Sequence, residues 1–394
     1  MSTKTISLIY GYSARNAGDL AITLGAIDVL KSLGYHVRLF SRYKYQQKDY
    51  IESESYLKER YGNDLEIFES PFFLDRSSNL FSSLVHYMSG AAVVFGLKSN
   101  KQFCQQLLDS DCVIFNGGNL FRCHSFIDYA RLCALMYPLK VAKSAHVPYM
   151  IFPQSASTIN EMGQKILFPL LEGACKVFFR EKESYDYMGE LIPSGNFEQT
   201  IDLAFFINKE TLLSVKRKKM IAITLRFHTV GDIGYLPEKY IEDIFERMGN
   251  YVTALKCEYE FVVVVQTDKD YLKSQQFAVK HELRLIKSND PMELLYIYRS
   301  VSLLIGMRLH SIILSLSVGT PCFGLFYKQW GLKNPGMMNS FGMPYTMMDE
   351  PSETVSDVKA IHDLIANIDK HSVAIMEKVN TEYKNMVTKF ISII

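Results

Sequence analysis

The 394-residue chain carries almost no excess charge of either sign: 43 Lys and Arg stand against 42 Asp and Glu, a formal net charge of +1. That balance excludes a broad surface tracking a phosphate backbone, so nucleic acid is not an expected partner. Paired cysteines are also missing. The seven thiols (Cys104, Cys112, Cys123, Cys133, Cys175, Cys257, Cys322) form no CxxC, and most lie in apolar runs where a free thiol behaves as a small hydrophobe. Neither a disulfide framework nor a zinc site is expected, and a reducing compartment is. Proline and glycine are sparse, at 12 and 22 residues, while hydrophobic residues make up 48% and charged residues 22%, which excludes a disordered chain. The start of the sequence, MSTKTISLIYGYSARNAGD, turns polar after one short apolar stretch, too soon for a signal-peptide core. The expected location is the cytoplasm.

What the chain does have is length for two hydrophobic cores of comparable size. It also has one nearly uncharged run, Leu80 to Leu97 (LFSSLVHYMSGAAVVFGL), followed by Lys98 and Lys101. Ser82, Ser83, His86 and Ser89 make it a poor membrane span. It reads either as a buried, domain-packing helix or as a surface element making peripheral contact with a membrane or a lipid-linked substrate.

Elsewhere short apolar strands alternate with amphipathic helices, the grammar of a parallel sheet covered on both faces. Ile6 to Tyr10 runs into the loop Gly11 to Asp19 and then a helix from Leu20 to Leu33, stopped by Gly34. His36 to Phe40, Cys112 to Phe115, Val147 to Phe152 (ending on Pro153) and Val177 to Phe179 are further strands. A basic linker, Lys216 to Lys219, precedes a second series. Its strands are Met220 to Leu225, Phe261 to Val265, Leu303 to Ile305 and Cys322 to Phe326. Its helices are Leu236 to Leu255, a segment capped by Asp290 with Pro291 at its first position, and Ser311 to Val318. The expected fold is α/β: two Rossmann-like, doubly wound domains facing a cleft. The expected divisions are 1–205, 206–374 and a helical tail, 375–394, packing back on the first domain.

In open α/β sheets, ligands gather at the carboxyl ends of the strands. Asn16, Gly18 and Asp19, Asn116 to Asn119, Gln154 and Ser155, Arg180, Arg226, Gln266, and Arg308 with His310 all follow strands directly. The segment Ile305-Gly306-Met307-Arg308-Leu309-His310-Ser311 puts a guanidinium and an imidazole at a strand-to-helix junction, where free N–H groups and the helix field favour an anion. The same field disfavours imidazolium at His310 and keeps a neutral base available. Arg226, at the end of Ile221-Ala222-Ile223-Thr224-Leu225, could join Arg308 in clamping a small dianion, or be a plain surface arginine. Gly11 to Asp19 matches no phosphate-loop pattern. Asn116-Gly117-Gly118-Asn119 is equally readable as a ligand-approach loop or a tight turn. Asp109-Ser110-Asp111 and Asp268-Lys269-Asp270 have the DxD form, and are read as caps and turns. No histidine or cysteine grouping has metal spacing, so no metal site is expected.

The ordered set of these segments resembles the polysaccharide pyruvyltransferase family. The matching pieces are Asn16-Ala17-Gly18-Asp19, Asn116-Gly117-Gly118-Asn119, Pro153-Gln154-Ser155, Arg180 with Glu181 and Ser184, and Asp202 to Phe205. They continue with Ile223 to Arg226, Gly306-Met307-Arg308-Leu309-His310 and Gly319-Thr320-Pro321, spanning about residues 6 to 330. Asn116 stands where the family has a further glycine. The family's tyrosine and lysine after the last of these strands correspond to Tyr327 and either Lys328 or Lys333. The resemblance implies a fold similar to GT-B glycosyltransferases, with the C-terminal domain holding phosphoenolpyruvate and the N-terminal domain holding the acceptor. It implies transfer of a pyruvyl group to a sugar of a cell-surface polysaccharide or its lipid-linked precursor, with release of phosphate and no cofactor. Arg226, Arg308, Leu309 and His310 would bind the donor. His310, with Asp19 second, would handle protons. Asn16, Asp19, Asn116, Gly117, Asn119 and Gln154 would face the acceptor. A GT-B glycosyltransferase using a nucleotide sugar and a non-catalytic sugar-binding relative are the alternatives.

Overall fold

The computed structural model describes residues 3–72, 100–212, 214–229 and 234–393. The uncharged run 80–97 lies outside them. By contact, the chain divides into a first unit of Met1–Arg15, Asp19–Ile207 and Glu382–Ile394 and a second of Asn16–Gly18 and Asn208–Thr381.

The first unit is built on one parallel sheet. Its strands are β1 (Thr5–Gly11), β2 (His36–Ser41), β3 (Leu65–Phe68), β4 (Cys112–Phe115), β5 (Gly118–Cys123), β6 (Tyr149–Ile159), β7 (Lys176–Phe179) and β8 (Phe197–Gln199). They run in the order β3-β2-β1-β4-β6-β7-β8, with β5 beside β6. Ile6, Leu8 and Ile9 of β1 and all of β4 are buried, as unbroken apolar strands in a doubly covered sheet must be. After β1 comes α1 (Ala17–Ser32), whose Leu20, Ala21, Leu24, Ile27 and Leu30 are all buried, consistent with its apolar character on every face.

Two strand boundaries differ from the sequence reading. Pro153 does not end its strand: β6 continues to Ile159, and the β6–β7 register shifts between Ile151 and Gln154. A residue without an N–H is tolerated at such an irregularity. Nor is Asn116–Asn119 a simple turn, because Gly118 and Asn119 open β5.

The second unit holds β9 (Met220–Thr224), β10 (Glu260–Val265), β11 (Arg284–Lys287), β12 (Leu303–Gly306), β13 (Cys322–Phe326) and β14 (Tyr345–Met347) in the order β11-β10-β9-β12-β13-β14, every pair parallel. Growth outward from β9 on one side and from β12 on the other makes the β9/β12 boundary the topological switch point. The helices that bear on the site are α8 (Asp268–Lys280), after β10, α10 (Leu309–Ser317), after β12, and α11 (Lys333–Ser340). Asp290 caps α9 (Pro291–Ser300) by accepting from Met292 N at 2.9 Å, with Pro291 at its start.

The C-terminal helix starts earlier than the expected tail. It runs unbroken from Ile368 to Ile391, with no proline or glycine to interrupt it. Its residues from Glu382 onward group with the first unit, where the Phe390 ring lies 5.8 Å from Phe152 and 5.9 Å from Tyr35 and Lys389 pairs with Glu198. No helix among the described residues is long and apolar enough to cross a membrane.

Candidate functional site

At the switch point, register fixes what the strand ends can bring together. Thr224 of β9 pairs with Gly306 of β12, and each strand reaches an arginine two residues later, Arg226 and Arg308. The two guanidinium-bearing residues therefore leave the carboxyl edge at equivalent positions on adjacent central strands. Met307 N donates to Thr224 O at 3.1 Å, extending the ladder to the foot of Arg308. Asn334 Nδ2 donates to Met307 O at 3.3 Å and holds that carbonyl from the α11 side. Leu309 begins α10, placing His310 in its first turn. Arg226, Arg308, Leu309 and His310 are each half-buried, accessible yet anchored.

The anchors are specific. Arg308 Nε donates to Asp270 Oδ2 at 2.5 Å, an ion pair with the carboxylate 3% exposed and the guanidinium 17%. The Arg226 guanidinium lies 4.8 Å from the centre of the Trp330 ring, within cation–π range, and its Nη2 donates to Thr229 O at 3.0 Å. Trp330 Nε1 in turn donates to His228 O at 3.0 Å.

Asp270 corrects the reading of its DxD triplet as a cap. Thr267 caps α8, its side chain accepting from Lys269 N, while the Asp270 carboxylate is buried and turned toward the ends of β9 and β12. Besides Arg308 it accepts from Phe227 N at 3.2 Å and meets His228 Nδ1 at 3.2 Å. In the other triplet, Asp109 pairs with Arg38 at 2.7 Å and Asp111 accepts from Thr5 N at 2.7 Å, both structural. Asp270, His228 and Trp330 are site residues that spacing did not expose. Their signals were faint: an acid five residues past a strand, a histidine two past Arg226, and the single tryptophan of the chain.

The Asn16–Gly18 loop groups with this unit and meets His310. Asn16 is exposed, and its Oδ1 accepts from Gly18 N at 3.1 Å at the start of α1. A Cβ on Gly18 would lie 2.2 Å from His310 Nδ1, so the imidazole occupies the space a side chain would need. Lys328 extends outward to pair with Glu350 at 2.9 Å, whereas Lys333 starts α11 and is half-buried.

In the first unit, several residues expected to face an acceptor are spent on internal bonds. Asn116 Nδ2 donates to Tyr10 O at 3.1 Å and its Oδ1 accepts from Gly117 N at 2.8 Å. Gln154 Nε2 donates to Asn116 O at 2.5 Å and its Oε1 accepts from Leu120 N. Both side chains are fully buried, as is the backbone of Gly117 between them. The asparagine in place of a glycine thus stitches β1 to β4, a bond glycine could not make. Asn119 is exposed on β5 and Asp19 is half-buried in α1. The Tyr12 hydroxyl donates to Gly117 O at 2.8 Å, and burial, with the Asp19 carboxylate adding to it, pushes its pKa far above the usual phenol range. Arg180 is locked between Ser155 Oγ at 2.7 Å and Asp202 Oδ2 at 2.5 Å. Burial opposes its charge, but Asp202 and Glu181 outweigh that and raise its pKa.

Comparison with known proteins adds family and fold. AmsJ of Erwinia amylovora, an amylovoran biosynthesis protein, is 24% identical over 91% of this chain and 89% of its own length. UDP-GlcNAc 2-epimerase from Neisseria meningitidis, solved with UDP-GlcNAc, superimposes with a TM-score of 0.60 at 13% identity, covering 98% of this chain and 100% of that one. A glycosyltransferase from Rickettsia africae gives a TM-score of 0.57 at 12% identity over 100% and 98% of the two chains. These likenesses establish two parallel-sheet α/β units of GT-B type. The model of polysaccharide pyruvyl transferases matches residues 16–329, from the loop that meets His310 to the turn that carries Trp330, and this chain belongs to that family.

Proposed function

We propose that the chain transfers the pyruvyl group of phosphoenolpyruvate to a sugar of a cell-surface polysaccharide or its lipid-linked precursor, forming a cyclic ketal and releasing phosphate. The observation that carries this reading is the pairing of Arg226 and Arg308 at matched positions of the switch point, with His310 two residues beyond one of them. A three-carbon ligand bearing a phosphate and a carboxylate suits two guanidinium forks, each able to bind an oxyanion bidentately.

The chemistry follows from that placement. Protonation of the donor's methylene carbon creates an oxocarbenium-like centre at C2. One sugar hydroxyl adds to C2 and loses its proton, and the C2–O bond to phosphate breaks. A second hydroxyl then adds to C2 and loses its proton, closing the ketal. Of the two protons released, one replaces the proton delivered to the methylene and the other leaves with phosphate. His310 serves as the acid and base, and the arginines stabilise the departing phosphate. Asp19 is the second candidate for activating a hydroxyl, and Asn16 and Asn119 offer exposed amides to the acceptor. Because phosphoenolpyruvate is made inside cells, the reaction belongs on the cytoplasmic side of the membrane.

Trp330, the single tryptophan, is stacked beneath Arg226 and reports on this site. Its fluorescence is expected to saturate on titration with phosphoenolpyruvate and not with nucleotide sugars. Saturation by a nucleotide sugar alone would overturn the donor assignment.

A further inference from the structure

A continuous run of contacts joins the two arginines through buried groups. Arg226 lies over Trp330, Trp330 Nε1 donates to His228 O, His228 Nδ1 meets Asp270 Oδ1, and Asp270 Oδ2 accepts from Arg308 Nε. His228, Asp270 and Trp330 are 6%, 2% and 8% exposed. Asp270 comes from the helix after β10, yet its carboxylate lies across the end of β9 and reaches the residue that follows β12. We propose that Asp270 is the positioning residue of this site: one oxygen orients Arg308, and the other fixes the Phe227–His228 turn on which Arg226 and Trp330 are arranged, so a single buried anion sets both guanidinium groups.

Three physical points support this. The helix does not need Asp270 as a cap, since Thr267 performs that task. A carboxylate is favoured in the first turn of α8, where the helix field is positive, so the negative charge is stable where the arginines need it. Two like charges drawn together to receive a dianion repel each other while the site is empty, and a buried counter-charge shared between them offsets that repulsion. The consequence for phosphoenolpyruvate rests on the donor reading above. The geometric coupling does not.

The test therefore has two readouts. In protein labelled with 15N-arginine and free of ligand, the Nε–H resonances of Arg226 and Arg308 are assigned with Lys substitutions and followed in Asp270→Asn, Asp270→Glu and His228→Asn. Asp270→Asn is expected to move both resonances, His228→Asn only that of Arg226, and Asp270→Glu neither by as much as Asp270→Asn. Calorimetric titration with phosphoenolpyruvate is expected to show binding weakened by roughly tenfold or more in Asp270→Asn and by less in His228→Asn, the range for losing a charge-assisted hydrogen bond. An unmoved Arg226 resonance in Asp270→Asn would overturn the coupling, and unchanged binding would overturn the role of Asp270 in holding the donor. If the parent protein fails to bind phosphoenolpyruvate, the donor reading falls while the resonances still decide the coupling. If Asp270→Asn does not fold, His228→Asn decides it: an Arg226 resonance that stays in place refutes the relay.

Discussion

Replacing Gly18 with alanine adds a single methyl group, and its effect can be worked from the structure. The new Cβ would stand 2.2 Å from His310 Nδ1, 2.5 Å from Cγ and 2.9 Å from the His310 Cβ. Ordinary carbon contacts begin near ~3.5 Å, so the ring must retreat by about 1 Å. Gly18 is the second residue of α1, where alanine would otherwise favour the helix by up to about 1 kcal/mol. Overpacking costs about 1–3 kcal/mol, so the helix gain offsets part of it, and the net loss of stability is about 0–2 kcal/mol. A reacting group displaced by about 1 Å costs on the order of 10²-fold in rate. The expected signature is thus a large fall in turnover beside a drop in Tm of only a few degrees. Phosphate release from phosphoenolpyruvate with a competent acceptor, together with scanning calorimetry, measures both. Parental turnover accompanied by a lowered Tm would show that the assignment of His310 as the proton-transfer group is mistaken, because the ring would have moved without consequence.

Other substitutions probe the remaining parts. His310→Gln should reduce phosphate release by about 10²–10⁴-fold, the usual contribution of a positioned acid or base, and leave equilibrium binding of phosphoenolpyruvate much less affected, as calorimetric titration would show. Arg226→Met should weaken binding of the donor by about 1.5–3 kcal/mol and also shift the Trp330 emission in the ligand-free protein, because the cation over the ring is removed. Gly118→Ala acts on stability alone. Its φ of +145° is one that side chains rarely adopt, and the new Cβ would sit 2.3 Å from the Tyr12 hydroxyl, so denaturant unfolding should show a loss of about 1–3 kcal/mol or more. Asp202→Ala leaves the Arg180 charge buried without its main partner and should cost about 3–5 kcal/mol in the same assay.

How much of this was legible beforehand depends on the range over which each feature is encoded. The apolar run of strand β10, five consecutive residues between Glu260 and Gln266, and helix α9, with Asp290 capping and Pro291 leading, are local statements that the sequence makes outright. The same holds for Arg226, Arg308 and His310 as residues that follow strands. Pro153 misled because a proline is compatible with a strand where pairing is already irregular, and that irregularity belongs to β6 and β7 together. Asn116 and Gln154 were polar residues after buried strands, which is the pattern of ligand-facing side chains and equally of side chains that stitch neighbouring strands to each other.

Hydrophobic periodicity, caps and breakers determined the two α/β series and the strand ends on which cations sit, since these depend on neighbours within a turn or a strand. Which residues meet there was decided only by strand order. Asp270 is 38 residues from Arg308, and Trp330 is 102 from His228, so no local pattern marks either one as a partner. The parallel register that sets Thr224 beside Gly306 brings the two arginines level, and the crossover after β10 delivers the carboxylate that holds one of them. Chemistry at this edge is thus a property of the sheet's topology, because only the folded sheet brings charges so distant in the chain within hydrogen-bonding distance.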